Sequence, residues 1–302
     1  MKKIVIFMIA FLSVASLYAK GDLHIYTVDN KAGKITPLMI QKAFTQNEFT
    51  IGINSDIHDG LTKHAGKSGV KIYNAISLYH NSISLRLIKE QPDAGIFLPM
   101  GVAIYQTDKE SDLHIAVVTA NAQSKILGKE TRLLGELEFR IDKVITQLFP
   151  NAKHTYNKAS LPEARKLLTT YALDTKGEDW EDVKEGLEEN FEDQFDKAGF
   201  VMPSYFDFSE QLGENSPYDF YTTYSICKLE VIASVSKVSP EAAAFAPCTT
   251  MMYKKKGENK IVMGFTAVYN WLSSAVITDK SSQKALMKAQ GDFEGILKDV
   301  TK

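Results

Sequence analysis

Residues 92–105 read PDAGIFLPMGVAIY, and residues 240–253, which lie 148 positions later, read PEAAAFAPCTTMMY. Each stretch begins at a proline, reaches a second proline shortly after a Phe, and continues into a segment that ends in Tyr. The same offset aligns residues 73–127 with residues 221–275 without a gap and gives nine identities, Tyr73 with Tyr221 among them. Self-similarity at a fixed offset is typical of an internal repeat. We therefore predict two units with the same fold.

The chain length fits this division, because 302 residues suffice for two domains of ordinary size. We predict a signal peptide at 1–19, a first unit at 20–150, a short polar linker at 151–160 and a second, divergent copy at 161–302. Duplicated units can bury against each other the surface that separate copies would share. We therefore expect an intramolecular pseudo-dimer.

Each unit shows the same alternation of patterns, which predicts the order β-α-β-β-α-β-β-α. Thr36 followed by Pro37 marks the start of the first helix. In the second unit, apolar residues recur every three or four positions from Trp180 to Ala198, as on one face of a helix. The paired strands between the helices predict hairpins. The predicted fold class is α+β, with mostly antiparallel or mixed sheets and helices largely on one face of each sheet.

The first nineteen residues have the pattern of a secretory signal. Lys2 and Lys3 precede an apolar run over 4–17, and Ala19 is a small residue suited to cleavage. The run is shorter than the ~20 apolar residues that span a bilayer. No later segment reaches that length, so we expect no stable membrane insertion after cleavage. We predict an exported, periplasmic protein.

Charge and missing motifs exclude several classes of function. The net charge is −2, whereas a nucleic-acid-binding protein needs a basic surface to displace counterions from phosphates. The chain has no Gly-x-Ser-x-Gly, no Gly-rich phosphate loop and no Cys-x-x-Cys. We therefore expect no nucleic-acid partner, and a hydrolase, a nucleotide enzyme or a thioredoxin-like oxidoreductase is disfavoured.

Two segments of the first unit resemble a bacterial family called Domain of Unknown Function 302. These are residues 55–66, which read SDIHDGLTKHAG, and residues 92–105. Family members often carry two cysteines, at the positions of Tyr79 and Met100 in the first unit. The repeat places Cys227 and Cys248 at the same two positions of the second unit. The resemblance implies the fold and these paired positions, but it implies no function.

Cys227 and Cys248 are the only cysteines of the chain, and three hypotheses for them stay open. They form a disulfide, they form a thiol pair for redox chemistry or soft-metal binding, or they are two unrelated buried thiols. We expect their Cα atoms to lie close together, with Tyr224 and Pro247 nearby. Tyr79 and Met100 should then be packed filler at the matching place in the first unit.

Other candidate groups are less specific. Seven aromatic residues between 205 and 224 could line a ligand pocket or form part of the core. His80 follows Tyr79 and is a candidate ligand-binding residue. All six histidines lie in or before the predicted junction between the units, and His58 and His64 are poorly spaced for a shared helix face. The sequence therefore predicts no metal-ligand set, and any cofactor is unknown.

The function that these patterns favour is non-catalytic binding of a small molecule or a periplasmic protein partner. The binding place would be a cleft between the units or the Pro-Cys segment of the second unit. The alternative is a thiol/disulfide redox or metal-handling protein that uses Cys227 and Cys248. A purely structural or assembly module is a third hypothesis.

Overall fold

The computed structural model describes residues 21–58, 61–62, 69–157, 161 and 167–302. The predicted signal peptide, His64 and part of the predicted linker lie outside these residues. Over the described part, no helix is both long and apolar enough to cross a bilayer.

The first unit has the predicted order of elements and adds some that the sequence analysis missed. A 3-10 helix, Pro92–Phe97, stands before the fourth strand. The first helix begins as predicted, because the Thr36 hydroxyl accepts a hydrogen bond from Met39 N at 3.3 Å. The strands and α-helices are β1 (Leu23–Asp29), α1 (Pro37–Thr45), β2 (Phe49–Asp56), β3 (Val70–His80), α2 (Asn81–Glu90), β4 (Met100–Thr107), β5 (Asp112–Val118), α3 (Ala120–Leu127), α4 (Arg132–Leu148) and β6 (Lys153–Tyr156).

The second unit has the same order of its first five strands. It has a short helix after its second strand, and over the described residues it has no sixth strand. Its 3-10 helix, Pro240–Phe245, lies 148 residues after that of the first unit. The strands and α-helices are β7 (Leu168–Asp174), α5 (Trp180–Lys197), β8 (Val201–Asp207), α6 (Ser209–Leu212), β9 (Tyr218–Cys227), α7 (Leu229–Ser236), β10 (Cys248–Lys255), β11 (Lys260–Thr266), α8 (Tyr269–Ser274) and α9 (Lys280–Val300).

The strand orders of the two sheets correspond. Over the described residues, the first sheet runs β2-β3-β4-β5-β1-β6 and the second runs β8-β9-β10-β11-β7. All their pairings are antiparallel. Tyr73 pairs with Tyr105 on β3 and β4, and Tyr221 pairs with Tyr253 on β9 and β10. The peptide bonds before Pro99 and Pro247 are both cis. The α+β class is therefore correct, and the repeated positions occupy equivalent places.

The junction between the units is more ordered than a linker. Its residues Lys153–Tyr156 form β6, which pairs with β1 and extends the first sheet by one strand. Asn157 then accepts a hydrogen bond from Leu23 N at 2.7 Å and donates one to the carbonyl of Ser274 in the second unit. Four residues of the predicted linker over 151–160 thus form a strand, because backbone pairing with β1 orders this polar segment.

Each sheet packs its own helices on one face and meets the other unit on the opposite face. Phe191, Phe195 and Phe293 of α5 and α9 form a core with Ile226 and Met252 of the second sheet. On β3, Tyr73 and Tyr79 contact the other unit, and their even spacing places them on one face of the strand. The 3-10 helix of each unit contacts the central strand of the other: Pro92–Phe97 lies against β10, and Pro240–Phe245 lies against β4.

Two buried tyrosines, one in each unit, donate equivalent hydrogen bonds to the opposite unit. The Tyr73 hydroxyl donates to the carbonyl of Pro240 at 3.0 Å and lies 2.6 Å from Ser236 Oγ. The Tyr221 hydroxyl donates to the carbonyl of Pro92. Both side chains are fully buried, so each hydroxyl needs a partner, and each finds it at the first residue of the other unit's 3-10 helix. The two hydrogen bonds between the units are therefore reciprocal.

Gly101 lets the backbones of the two units approach closely. A Cβ atom built on Gly101 would lie 2.0 Å from the carbonyl oxygen of Ala246 and 2.6 Å from that of Ala244. Both obstacles are backbone atoms, which cannot rotate away. Glycine is therefore required here by the space between β4 and the second 3-10 helix.

We predict that Gly101→Ala destabilises the protein by about 1–3 kcal/mol through overpacking of this contact. Gly135→Ala is the control, since a Cβ there has no neighbour within 4 Å and Ala favours the α4 helix by up to ~1 kcal/mol. Urea unfolding followed by circular dichroism measures both changes. A Gly101→Ala protein as stable as wild type would contradict the close approach.

Candidate functional site

An apolar pocket opens in the second unit where α7 and α9 pack against the ends of the sheet strands. Its cavity volume is about 40 Å³. Cys227 and Cys248 both line it, together with the rings of Phe200, Trp271 and Phe293. This volume is far below the ~300–1,000 Å³ typical of small-molecule sites, so a small-molecule ligand would have to move the lining side chains. The pocket is the place where the predicted cysteine pair and an apolar cavity coincide.

The register of the strands brings the two cysteines together without joining them. Cys248 pairs with Ile226 on the neighbouring antiparallel strand, so Cys227 is its diagonal neighbour. Successive side chains of a strand point to opposite faces, whereas a disulfide needs facing Cβ atoms. Both residues are free thiols in the structure.

Burial keeps both thiols protonated. Loss of solvation raises the pKa of Cys248 to about 12 and raises the pKa of Cys227 even further, with a smaller contribution from Cys248. A nucleophilic or metal-binding cysteine needs the thiolate, which electropositive surroundings normally stabilise. In this pocket, burial disfavours the thiolate of both cysteines. Their protonated thiols therefore contribute small apolar surfaces to the pocket wall.

Two polar side chains at the pocket, Lys228 and Gln290, have protein partners, whereas the buried Trp271 Nε1 has no hydrogen-bond partner among the described residues. Lys228 Nζ donates to the carbonyl of Ala198 at 2.9 Å and to Asp292 Oδ2 at 3.2 Å. Gln290 Oε1 accepts from Val268 N at 2.7 Å. The positive charge and the amide are therefore compensated within the fold. A ligand would be held mainly by apolar contact.

Tyr224 and Pro247 lie near the cysteines along the chain but face elsewhere. The Tyr224 hydroxyl donates to Glu188 on α5, and its ring contacts Phe191. Burial and the Glu188 carboxylate raise the pKa of Tyr224, which keeps the hydroxyl a donor. Pro247 lies beside Pro99 in the contact between the units. Neither residue is among those that line the pocket.

Tyr79 and Met100 occupy the corresponding place in the first unit as buried side chains. Met100 pairs with Leu78, as Cys248 pairs with Ile226. The Tyr79 ring packs edge-on against Phe206 and Phe208 of the second unit, with ring centroids 5.2 Å apart in each case. At the place that corresponds to the pocket, the first unit therefore packs against the second unit.

His80 is a buried imidazole. It is 1% exposed, and neither ring nitrogen has a hydrogen-bond partner among the described residues. Its ring packs edge-on against Phe49 at 4.9 Å, and Nε2 lies 3.8 Å from the exposed Glu48 carboxylate. Burial lowers the pKa of His80, and Glu48 opposes this shift. The geometry gives His80 a packing role in the first core.

The seven aromatic residues between 205 and 224 do not form one pocket. Phe220 and Tyr224 belong to the core under α5, whereas Phe208, Tyr218 and Tyr221 belong to the core shared with the first unit. Tyr205 is 48% exposed. Most of these aromatic residues are therefore part of a hydrophobic core, which was the alternative to a ligand pocket.

A further cluster was missed because two of its members are far apart in sequence. His24 of β1 and His154 of β6 lie side by side, and Asp142 of α4 lies above them. The one available signal was the recurrence of His-x-Tyr at 24–26 and 154–156. That signal is meaningful only once β6 is known to pair with β1.

Fold and pocket together define a two-unit α+β protein with an apolar site. Residues 30–148 match the family model described as "Domain of unknown function DUF302", the family that the sequence resembles. The match ends within the first unit.

Solved structures are similar to part of this chain. One is the crystal structure of an uncharacterized conserved protein DUF302 from Bacillus stearothermophilus, at 16% identity and a TM-score of 0.35. The similarity covers 46% of this chain and 100% of that one. No curated protein is similar enough to this chain to count as a match.

We predict that iodoacetamide modifies Cys248 of the native protein at pH 8 at least about 100-fold more slowly than in urea, because the thiolate is scarce at a raised pKa. Peptide mass spectrometry of quenched samples measures the rates. Equal rates in the two conditions would contradict a protonated, protected thiol.

Removal of His80 should change how stability depends on pH. The pKa of the folded imidazole lies below that of the unfolded chain, near 6.5, so the unfolded state takes up the proton first as pH falls. Wild type should therefore lose stability relative to His80→Phe below pH ~6.5, by up to about 1.4 kcal/mol per pH unit. The difference should be constant between pH 7.5 and 8.5. Urea unfolding across this range tests it, and parallel pH profiles would refute the buried neutral imidazole.

Proposed function

We propose that this is an exported protein of the periplasm that binds a small apolar molecule without transforming it. The observation that carries the proposal is the apolar pocket beside Cys227 and Cys248. Its Lys228 ammonium and Gln290 amide are compensated within the fold, and its thiols are held protonated. Export is supported by Lys2 and Lys3, the apolar run over 4–17 and Ala19.

The correspondence of the two strand orders supports the proposal that residues 161–302 are a divergent copy of the first unit. In this view the copies have specialised. The first unit fills the place of the pocket cysteines with Tyr79 and Met100, and the second keeps a pocket there. One copy provides a partner surface, and the other provides the ligand site.

The alternative, thiol redox or soft-metal chemistry at the same cysteines, receives less support. Such chemistry requires thiolates, and burial raises the pKa of both thiols. Lys228, the cation of the pocket wall, is paired with Asp292. An apolar ligand therefore fits this surface better than an oxidant or a metal ion.

We predict that Ala289→Phe, which places a ring in the pocket from α9, weakens binding of the apolar fluorophore N-phenyl-1-naphthylamine at least tenfold. Met287→Phe is the control, because Met287 lies on the same helix and is 42% exposed. Fluorescence titration measures both affinities. Equal affinity in wild type and Ala289→Phe, or no binding by wild type, would contradict the proposed site. Iodoacetamide-sensitive thiols in the wild-type protein would instead favour the redox alternative.

A further inference from the structure

His24, His154 and Asp142 meet on the outer face of the first sheet, away from the pocket. His24 is on β1, His154 on β6 and Asp142 on α4. One ligand atom from each lies within 4.8 Å of the others. The antiparallel register pairs His24 with Tyr156 and Tyr26 with His154, so the two His-x-Tyr segments run past each other in opposite directions. This arrangement places both imidazoles on the same face.

The separations match those between ligands of one metal ion. His24 Nε2 and His154 Nδ1 are 3.2 Å apart, and His154 Nδ1 is 3.9 Å from Asp142 Oδ1. Zinc–nitrogen bonds of about 2.0 Å in a tetrahedral site place two ligand atoms about 3.3 Å apart. The imidazole pair already has this spacing. A small rotation of the Asp142 carboxylate would bring the third ligand atom to a similar distance from the two imidazole nitrogens.

The surroundings hold the three groups as a metal site would require. The Tyr26 hydroxyl donates a hydrogen bond to Asp142 Oδ1 at 3.0 Å. Hydrogen bonds of this kind orient ligands and tune their basicity. The Tyr156 ring stacks on His24 with centroids 4.4 Å apart. On the helix turn before Asp142, Glu138 has a buried carboxylate oxygen, Oε1, without a hydrogen-bond partner among the described residues.

Exposure distinguishes this cluster from a closed structural site. His24 is 4% exposed, whereas the side chains of His154 and Asp142 are 39% and 37% exposed. An ion bound there would keep coordination positions for water or another ligand, as in zinc sites with three protein ligands. We propose that His24, His154 and Asp142 bind one divalent first-row transition-metal ion, such as Zn²⁺, at the seam between β1, β6 and α4.

The proposal gives β6 a role. An ion shared by β1, β6 and α4 would fasten the last strand of the first sheet to its neighbours. Because β6 leads directly into the second unit, metal binding would order the connection between the units. This site is independent of the apolar pocket, and its failure would leave the proposed ligand binding untouched.

Cobalt is the probe, because its visible spectrum reports ligand type and geometry. We expect purified wild-type protein to bind one Co²⁺ with d–d bands and no sulfur-to-cobalt charge-transfer band, and Zn²⁺ to displace it. His154→Ala and Asp142→Asn remove partly exposed ligands and should each weaken Co²⁺ at least tenfold. Tyr26→Phe keeps the ligands and should weaken it by about tenfold.

His58→Ala is the matched control, since His58 lies outside the cluster and its loss should leave the affinity unchanged. Circular dichroism checks that every variant is folded. Three results would overturn the proposal: no Co²⁺ binding by the wild-type protein at millimolar concentration, binding that both ligand variants retain, or a charge-transfer band that shows thiolate ligation.

Discussion

The contact of each unit's 3-10 helix with the central strand of the other holds the architecture together. A tyrosine on each third strand, Tyr73 or Tyr221, is fully buried and hydrogen-bonds to the proline that begins the opposite 3-10 helix. A buried hydroxyl without a hydrogen-bond partner costs ~1–3 kcal/mol. If the units separated while these tyrosines stayed buried, both hydroxyls would lack a partner. Neither half has a complete core alone, because one hydrophobic cluster includes residues of both.

The polar cluster lies away from this contact, whereas the apolar pocket adjoins it. Gly101 has no space for a methyl group because the carbonyl oxygen of Ala246 lies against it, and Ala246 also lines the pocket. The pocket lies in the second unit under α7 and α9 and has a volume of about 40 Å³. The first unit has its polar cluster at the seam where β6 joins β1. The contact between the units therefore forms part of the pocket wall but no part of the polar cluster.

Much of the fold could be predicted because apolar periodicity and the repeat report directly on packing. The stripe on α5, the cap at Thr36 and the pairing of Tyr73 with Tyr221 all depend on local spacing, which the sequence displays. The strand β6 could not be predicted this way, because Lys153–Tyr156 is polar and is held by backbone pairing with β1. The pocket was predictable only through the two cysteines. Its other walls, Phe200, Trp271 and Phe293, come from segments that meet only in the folded chain.

The histidines also show that sequence spacing does not reveal which side chains meet in the folded chain. His24 and His154 are 130 residues apart and look scattered in the sequence, yet their ring nitrogens approach to 3.2 Å. His80 attracted attention through its place beside Tyr79, but it is packed against Phe49 without a hydrogen-bond partner among the described residues. Chemical candidates drawn from the family pattern were thus less informative than the topology, which decides which polar groups converge.

The central claim, that the two units form one cooperative body through their reciprocal contact, is tested most directly by native-state hydrogen exchange. The amides of Ile104 on β4 and Met252 on β10 lie in the central strands of the two sheets. As urea is increased, both amides should exchange with the same free energy, equal to that of global unfolding. Exchange of one sheet at a lower free energy, with the other still protected, would show that the units unfold separately and would contradict the account.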